Sequence, residues 1–354
     1  MKRKIVLFCE ALRNRAGIER MTVELANLLC DECSVTIITI DPFSDAECPY
    51  RIDTRVDVRS LNYSFNKSLF SPNLKNIRAL RNILKEVRPS VVIAVATPMV
   101  RIAVPAARRL GIKTIGWEHF NIFAGSKIGA LYKALAPWMV QDTVVLTEAD
   151  AVDYRKFLAP RITVIPNFTS IGVNAPSDCS SKILLAVGRH AYQKGFDMLI
   201  KAWAKTDAPG WKLRIVGSGA DREANERLAE ELGLGERIEF KDSTPAIAEE
   251  FRQASCFVLS SRFEGLVLVL IEAKMMGLPT VCFDCPNSPR EVVRDGVDGI
   301  LIPPADIEAL AHGLTDTLKD SQRLAEMGAK GREDAMLRYS PEAIKKLWLN
   351  LIEF

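Results

Sequence analysis

Glu264 and Glu272 bracket an uncharged run in Ser261-Arg262-Phe263-Glu264-Gly265-Leu266-Val267-Leu268-Val269-Leu270-Ile271-Glu272-Ala273. Carboxylates beside so apolar a stretch are costly unless partnered, so the pair calls for a ligand or an ion-pair partner. A helix beginning near Leu266 would set Glu264 just before its first turn and Glu272 about two turns into it. The N–H groups of Gly265, Leu266 and Val267 would then form a helix N-terminus, which favours an anion. Such spacing suits a ligand with a negative centre and hydroxyls on both sides. A plain buried helix with Glu272 on its exposed edge explains Leu268, Ile271 and Met275 equally well, but leaves Glu264-Gly265 unexplained.

Cations occur in Val187-Gly188-Arg189-His190-Ala191-Tyr192-Gln193-Lys194-Gly195, which leaves a strand-like run and opens a helical one. Arg189 offers a planar fork to phosphate oxygens and Lys194 a compact second charge. Two solvated surface cations are the ordinary alternative; a loop at a strand's carboxyl end favours function. Gly17, opening the first helix, would let a ligand approach the backbone, though an ordinary strand-to-helix turn explains it equally. G-x-G-x-x-G is missing there, so a dinucleotide is not supported, and Gly217-Ser218-Gly219 is a weaker signal still. His119, in Gly116-Trp117-Glu118-His119-Phe120-Asn121, follows another strand and is expected to face a cleft. His312 has no chemical company.

These loops need elements to carry them. Runs at Ile5–Phe8, Val35–Ile40, Val91–Val95, Thr114–Gly116, Thr143–Leu146 and Ile162–Ile165 read as strands alternating with helical patterns, the rhythm of a parallel sheet covered on both faces. A polar, turn-rich stretch over 168–181 follows, and the rhythm restarts at Ile183. Helices are expected over 195–205, 221–232, 245–253, 266–276 and 288–293, then 306–318, 321–336 and 341–352. Ser340 and Pro341 fit N-cap and N1 positions. The expected architecture is α/β: two Rossmann-like parallel-sheet domains, 1–167 and 168–354, facing an interdomain cleft, with the last helix (about 341–354) packing back on the first domain.

At 354 residues, 48% hydrophobic and 26% charged, the chain has the composition of a soluble two-domain protein. No apolar run is long enough to span a bilayer, and the N-terminal run is short enough to read as a first strand and not a signal peptide. Eight scattered cysteines suit a reducing cytoplasm. Cys30/Cys33 and Cys282/Cys285 have C-x-x-C spacing but lie in different domains with no histidines nearby, so no metal is expected. The net charge of +3 hides an asymmetry: residues 1–165 hold 24 Lys+Arg against 16 Asp+Glu. That basic half suits an anionic partner, and charge alone leaves membrane, lipid-linked substrate and nucleic acid open. Lys75, Arg78, Arg81, Lys85 and Arg88 recur at helical spacing; a solvated face is the first explanation, contact with anionic lipid or a diphosphate-linked acceptor the second.

Assembled, these residues resemble glycosyltransferase family 4, retaining enzymes of the GT-B fold. The resemblance covers nearly the whole chain and rests on V-G-R-x4-K-G at 187–195, E-G-hydrophobic-x5-E-A at 264–273, Gly277-Leu278-Pro279-Thr280-Val281, and Glu291 through Gly299. Cys282 through Glu291 further resembles bacterial polysaccharide, O-antigen and amylovoran-type enzymes. Val267 stands where the family often has proline and Asn287-Ser288 where Thr-Gly is frequent, which bears on sugar specificity.

The resemblance implies a nucleotide-diphosphate sugar, UDP-linked by preference, held in the cleft. Arg189 and Lys194, with amides at Gly17, Leu266 and Val267, would hold the diphosphate. Glu264 and Gly265 would meet the sugar, Glu272 the ribose, and His119 would lie near the transferred sugar and the acceptor. His119 and Glu264 are the implied catalytic residues. No metal or other cofactor is implied; cations and helix dipole would stabilise the leaving diphosphate. Expected partners are the donor, a glycan or lipid-diphosphate-linked acceptor and an anionic membrane surface, with no nucleic acid, in the cytoplasm or peripherally at the inner face of the membrane. A glycosidase would not need Arg189, Lys194 or a helix terminus; a UDP-sugar epimerase would lack the Glu264/Glu272 arrangement. An idle scaffold subunit of a polysaccharide assembly complex would be signalled by loss of Arg189, Lys194 or Glu264, and all three are present.

Overall fold

The computed structural model describes all residues except 1, 15–16, 66–72, 124–126, 158, 174, 265, 287–288 and 354, and the side chains of 127 and 128. The chain divides into two units, Met1–Pro166 with Lys345–Phe354, and Asn167–Ile344.

In the first unit, β1 (Arg3–Cys9), β2 (Cys33–Thr39), β3 (Asp57–Ser60), β4 (Val91–Val95), β5 (Lys113–Trp117), β6 (Asp142–Val145) and β7 (Ile162–Val164) form one parallel sheet, ordered β3-β2-β1-β4-β5-β6-β7. Between them run α1 (Gly17–Leu29), α2 (Leu74–Val87), α3 (Thr97–Ala107), α4 (Lys127–Leu135) and α5 (Glu148–Lys156). Central strands such as Val91-Val92-Ile93-Ala94-Val95 are buried throughout, as a sheet covered on both faces requires. Edge strand β3 was not expected: Asp57-Val58-Arg59-Ser60 shows neither an apolar run nor alternation. Helix α3 begins at Thr97, with Pro98 in its first turn, where no N–H is needed.

The second unit holds β8 (Ile183–Val187), β9 (Lys212–Val216), β10 (Ile238–Lys241), β11 (Cys256–Leu259), β12 (Thr280–Phe283) and β13 (Gly299–Ile302), parallel and ordered β10-β9-β8-β11-β12-β13. Its helices are α6 (Phe196–Lys205), α7 (Arg222–Glu231), α8 (Ile247–Arg252), α9 (Leu268–Met275), α10 (Pro289–Val292), α11 (Ile307–Leu318) and α12 (Ser321–Tyr339), and α13 (Pro341–Glu353) ends the chain. The period of two sorts each strand between two cores. Leu184 and Ala186 of β8 pack with Leu199 and Trp203 of α6 and Leu314 of α11, whereas Leu185 packs with Leu270 and Ile271 of α9.

Side-chain caps set helix starts: Thr147 accepts from the Asp150 N–H at 3.0 Å, Asp306 from the Ala309 N–H at 2.9 Å, and Asp320 from the Arg323 N–H at 2.9 Å. Ser340 accepts weakly from Ala343 (3.3 Å) before Pro341 opens α13. From Lys345 onward α13 belongs to the first unit, where Trp348 meets Trp117 edge-on at 5.1 Å and the Lys113 Nζ donates to the Leu351 carbonyl at 2.9 Å.

A fully buried lysine organises the far side of the second sheet. Lys274 on α9 donates to the Val292 carbonyl (2.5 Å), Asp334 of α12 (2.7 Å) and Asp298 (3.2 Å). Arg294 adds a second cation to Asp298 at 2.6 Å. Such a charge survives burial only because every neighbour answers it.

Candidate functional site

In the second sheet the strand order reverses between β8 and β11, and ligands of open parallel sheets bind outside the carboxyl ends of the strands at such a point. The loops leaving those two strands, 188–195 and 260–267, contain most of the residues that the sequence singled out.

The first loop is held by glycines. An added Cβ at Gly188 would lie 3.1 Å from the side-chain carbons of Lys194, so the absent side chain lets Lys194 fold across the backbone. Gly195 has φ 63°, and a side chain there would run into the Ser260 carbonyl, so conformation and space both demand glycine.

The second loop clamps onto the first. Ser260 donates its hydroxyl to the Lys194 carbonyl at 2.9 Å, and the Arg262 N–H donates to the Gln193 carbonyl at 2.8 Å. The Arg262 guanidinium reaches the Tyr192 carbonyl at 2.8 Å, lies 4.1 Å over the Tyr192 ring, and forks onto both oxygens of Asp197 at 2.9 and 2.8 Å.

Within this frame Lys194 and Glu264 meet at 2.6 Å, with side chains only 15% and 8% exposed. Ser261 donates to Glu264 at 2.6 Å and Gln193 at 3.2 Å. Arg189 is exposed on the same loop and makes no ion pair among the described residues. Burial, then the charge of Glu264, pushes the Cys285 thiol up to about 12, so Cys285 is a neutral neighbour of the pair.

Two expectations about α9 change. The helix starts at Leu268, with Val267 as its cap in extended conformation, so its first helical N–H groups are those of Leu268 and Val269 and not those of Leu266 and Val267. The apolar run carries no Ser, Thr, Asp or Asn to mark the boundary, which is why the pattern reads as helix two residues early. Glu272 is 1% exposed, so the alternative that placed it on an exposed edge fails. Gly265 lies outside the described residues.

The first unit carries the other two predicted residues. Gly17 is the first residue of α1, exposed, with nothing within 4 Å of an added Cβ. It follows β1, which flanks the first sheet's own reversal between β1 and β4.

His119 follows β5 with its ring 4.4 Å from that of Trp117. Its Nε2 is buried and has no hydrogen-bond partner among the described residues, and burial pulls its pKa down to about 3, so the imidazole is neutral at physiological pH.

Beside it stands Glu118, a buried carboxylate that sequence reasoning passed over. Its oxygens accept the N–H of His119 at 3.0 Å, of Phe120 at 3.1 Å and of Thr97 at 3.3 Å, as well as the Thr97 hydroxyl. Thr97 is the first residue of α3, so one carboxylate sits at a helix N-terminus and holds the loop of His119 in place. Burial raises its pKa, against the pull of Lys133 and of these amides.

Other readings concern what lies outside the site. On α2, Leu80, Leu84 and Val87 are buried, and Arg81 caps the end of α3 through the Ala106 and Arg108 carbonyls at 2.9 and 2.8 Å. Lys75, Arg78, Lys85 and Arg88 remain a solvated basic face. All eight cysteines are free thiols, and among the described residues no group of three or more His, Cys, Asp or Glu is placed to hold a metal. Among the described residues, no helix is long and apolar enough to cross a membrane.

Comparison with known proteins decides the family. The pattern described as Glycosyltransferase Family 4 matches residues 15–171, and that described as Glycosyl transferases group 1 matches 174–334. An uncharacterized glycosyltransferase of Haemophilus influenzae is 31% identical over 99% of this chain and 100% of its own. The chain belongs to glycosyltransferase family 4.

The amylovoran biosynthesis glycosyltransferase AmsD of Erwinia amylovora is 27% identical to this glycosyltransferase over 99% of both chains. A Campylobacter jejuni enzyme, an alpha-1,4-N-acetyl-D-galactosaminyltransferase named for a diNAcBac-PP-undecaprenol-linked acceptor, is 29% identical over 98% of both. In fold the glycosyltransferase is similar to Anabaena HepE, solved in complex with UDP, at a TM-score of 0.82 and 17% identity over the full length of both chains. Its two Rossmann-like units are those of the GT-B fold.

Sequence reasoning missed Ser260, Ser261, Arg262 and Asp197 as well as Glu118. The Arg262–Asp197 clamp joins residues 65 positions apart and leaves no local trace. Glu118 did leave one: it is a carboxylate directly after the strand β5.

Proposed function

We propose that this glycosyltransferase moves a hexose or N-acetylhexosamine, with retention of configuration, from a UDP-sugar to a glycan or lipid-diphosphate-linked acceptor in cell-surface polysaccharide synthesis. The observation that carries the reading is the convergence of Arg189, Lys194 and Glu264 on the β8/β11 reversal. Arg189, exposed and without an ion pair among the described residues, is a fork suited to phosphate oxygens. In the unliganded pair, Lys194 and Glu264 neutralise each other. An arriving donor offers each a new partner, diphosphate for the lysine and sugar hydroxyls for the carboxylate. Glu272 takes the ribose hydroxyls.

In the proposed reaction the acceptor oxygen bonds to the anomeric carbon on the leaving-group face as the bond from that carbon to the phosphate oxygen breaks. The acceptor's proton passes to the departing diphosphate. Arg189, Lys194 and the first amides of α9 meet the charge that develops there, with no metal required. His119, neutral and with Nε2 unpartnered among the described residues, offers a hydrogen bond to a sugar hydroxyl and no charge. The relatives named for amylovoran synthesis and for an undecaprenol-diphosphate acceptor support the acceptor class, and the proposal includes a cytoplasmic enzyme working at the membrane's inner face.

The test is a mass-spectrometric screen of UDP- and GDP-sugars against lipid-diphosphate-linked acceptors, with the anomeric configuration of any product read by NMR. A UDP-sugar giving a retained product is expected. Folded protein that transfers from none of them refutes the reading, and an inverted product refutes the mechanism.

A further inference from the structure

Among the described residues, eight of the sixteen large apolar side chains exposed to solvent lie between Phe120 and Phe157. Single exposed apolar residues are ordinary on any protein; a cluster of them marks a contact surface. Leu131 and Leu135 of α4 are 60% and 53% exposed, and Trp138 and Met139, in and after the 3-10 turn that continues it, are 59% and 43% exposed. Their spacing puts them along one stripe of a helix. The opposite stripe, through Ala134, Ala136 and Pro137, is buried. This segment therefore packs through its small residues and presents its large ones to solvent, the reverse of a core-facing helix.

Met139 also lines a groove of about 1000 Å³ at the amino ends of β5, β6 and β7, with Arg108, Arg109, Lys113 and Arg161 in its walls. Its one carboxylate among the described lining residues, Asp142, is already taken by Lys113 at 2.8 Å. Arg108 and Arg109 are exposed and make no ion pair among the described residues. Large apolar side chains beside an unneutralised basic groove complement the interface of a bilayer with anionic headgroups, where aromatic and aliphatic groups enter the acyl boundary and cations meet phosphate. The basic helix α2 lacks this combination, since Leu80 and Leu84 face inward and Leu74, at its start, is a single exposed apolar residue and not part of a stripe.

We propose that the stripe of Leu131, Leu135, Trp138 and Met139, with Arg108 and Arg109 beside it, docks the enzyme on an anionic membrane surface. The proposal deepens the lipid-linked-acceptor reading by naming the surface that would bring the enzyme to that acceptor, and it rests on that reading only for its purpose. The experiment is sedimentation of the full chain with vesicles of phosphatidylcholine alone and of phosphatidylcholine mixed with phosphatidylglycerol.

Binding to the mixed vesicles and not to the neutral ones is expected, weakening as salt rises. Leu135→Ser with Trp138→Ser, and separately Arg108→Glu with Arg109→Glu, should each weaken it at least about tenfold. Lys75→Glu with Arg78→Glu on α2 should leave it unchanged, and transfer to a detergent-free, soluble acceptor should survive in all three. Wild-type binding by both stripe and groove variants overturns the proposal, as does binding indifferent to lipid charge. Self-association in solution that Trp138→Ser abolishes assigns the stripe to a second copy and also overturns it. Transfer without vesicle binding removes this surface and leaves the donor site standing; vesicle binding without transfer from any donor supports the surface and removes the transferase reading.

Discussion

Replacing Lys194 with methionine tests whether the contact with Glu264 is an ion pair that the donor takes over. The Nζ–Oε1 distance is 2.6 Å and neither side chain is more than 15% exposed. Two unit charges about 4 Å apart attract by roughly 4 kcal/mol at an effective dielectric near 20, before desolvation is charged against them. Glu264 keeps the hydroxyl of Ser261 and the amide of Gln193 when Lys194 is gone, which limits the loss.

A double-mutant cycle of Lys194→Met, Glu264→Gln and both together should therefore give a coupling of roughly 1–3 kcal/mol in the unliganded protein. The assay is urea unfolding followed by amide exchange within residues 183–302, so that the second unit is scored by itself. The same Lys194→Met variant should lose about 10²–10³ in turnover, the range for removing one donor that stabilises transition-state charge. A coupling below about 0.3 kcal/mol would show that the two side chains act independently. Turnover near that of the wild type would remove Lys194 from the site altogether.

Four further outcomes follow from the geometry. Gly195→Ala should abolish transfer and destabilise the second unit by more than about 1 kcal/mol, read by unfolding, because the αL backbone and the Ser260 carbonyl both exclude a methyl group. Lys274→Ala should cost about 3 kcal/mol in urea unfolding, since it removes the buried cation that Asp298 and Asp334 share and leaves them only the partly exposed Arg294 and Arg338. His119 is depressed to about 3, so its contribution to stability is complete above the ordinary value of 6.5 and is lost as pH falls toward 3. Relative to His119→Gln, the wild type should lose at most about 2 kcal/mol between pH 7 and pH 5; no difference between them would place a charged imidazole in the native protein. Glu118→Ala should lower kcat with little change in donor KM, as expected of a residue that holds the loop of His119 without touching the donor, and equal losses in both would contradict that role.

How much of this was legible in the sequence depends on the range of each interaction. Arg189, Lys194 and Glu264 stood out because a parallel sheet delivers its loops to the carboxyl ends of its strands, and apolar runs locate those ends without a structure. The start of α9 was misplaced because Val267 caps it through backbone conformation alone. The edge strand β3 was invisible because its pairing with β2 is carried by backbone and not by apolar side chains. The Arg262–Asp197 clamp and the Lys274 network are contacts between distant residues of mixed charge, and in a chain with 26% charged residues any such pair is as expected as any other. The exposed stripe on α4 is the converse case. Only the packing of Ala134 and Ala136 shows that its large residues face outward.

The central claim, that the reversal between β8 and β11 holds a nucleotide diphosphate, is tested most directly by calorimetric titration of UDP into the wild type, Arg189→Ala and Lys194→Met. Saturable one-to-one binding to the wild type, weakened at least about tenfold in each variant, is the predicted result; tenfold corresponds to about 1.4 kcal/mol, within what one charge-assisted hydrogen bond supplies. UDP that binds all three proteins equally, or folded wild type that binds neither UDP nor GDP, would contradict the claim.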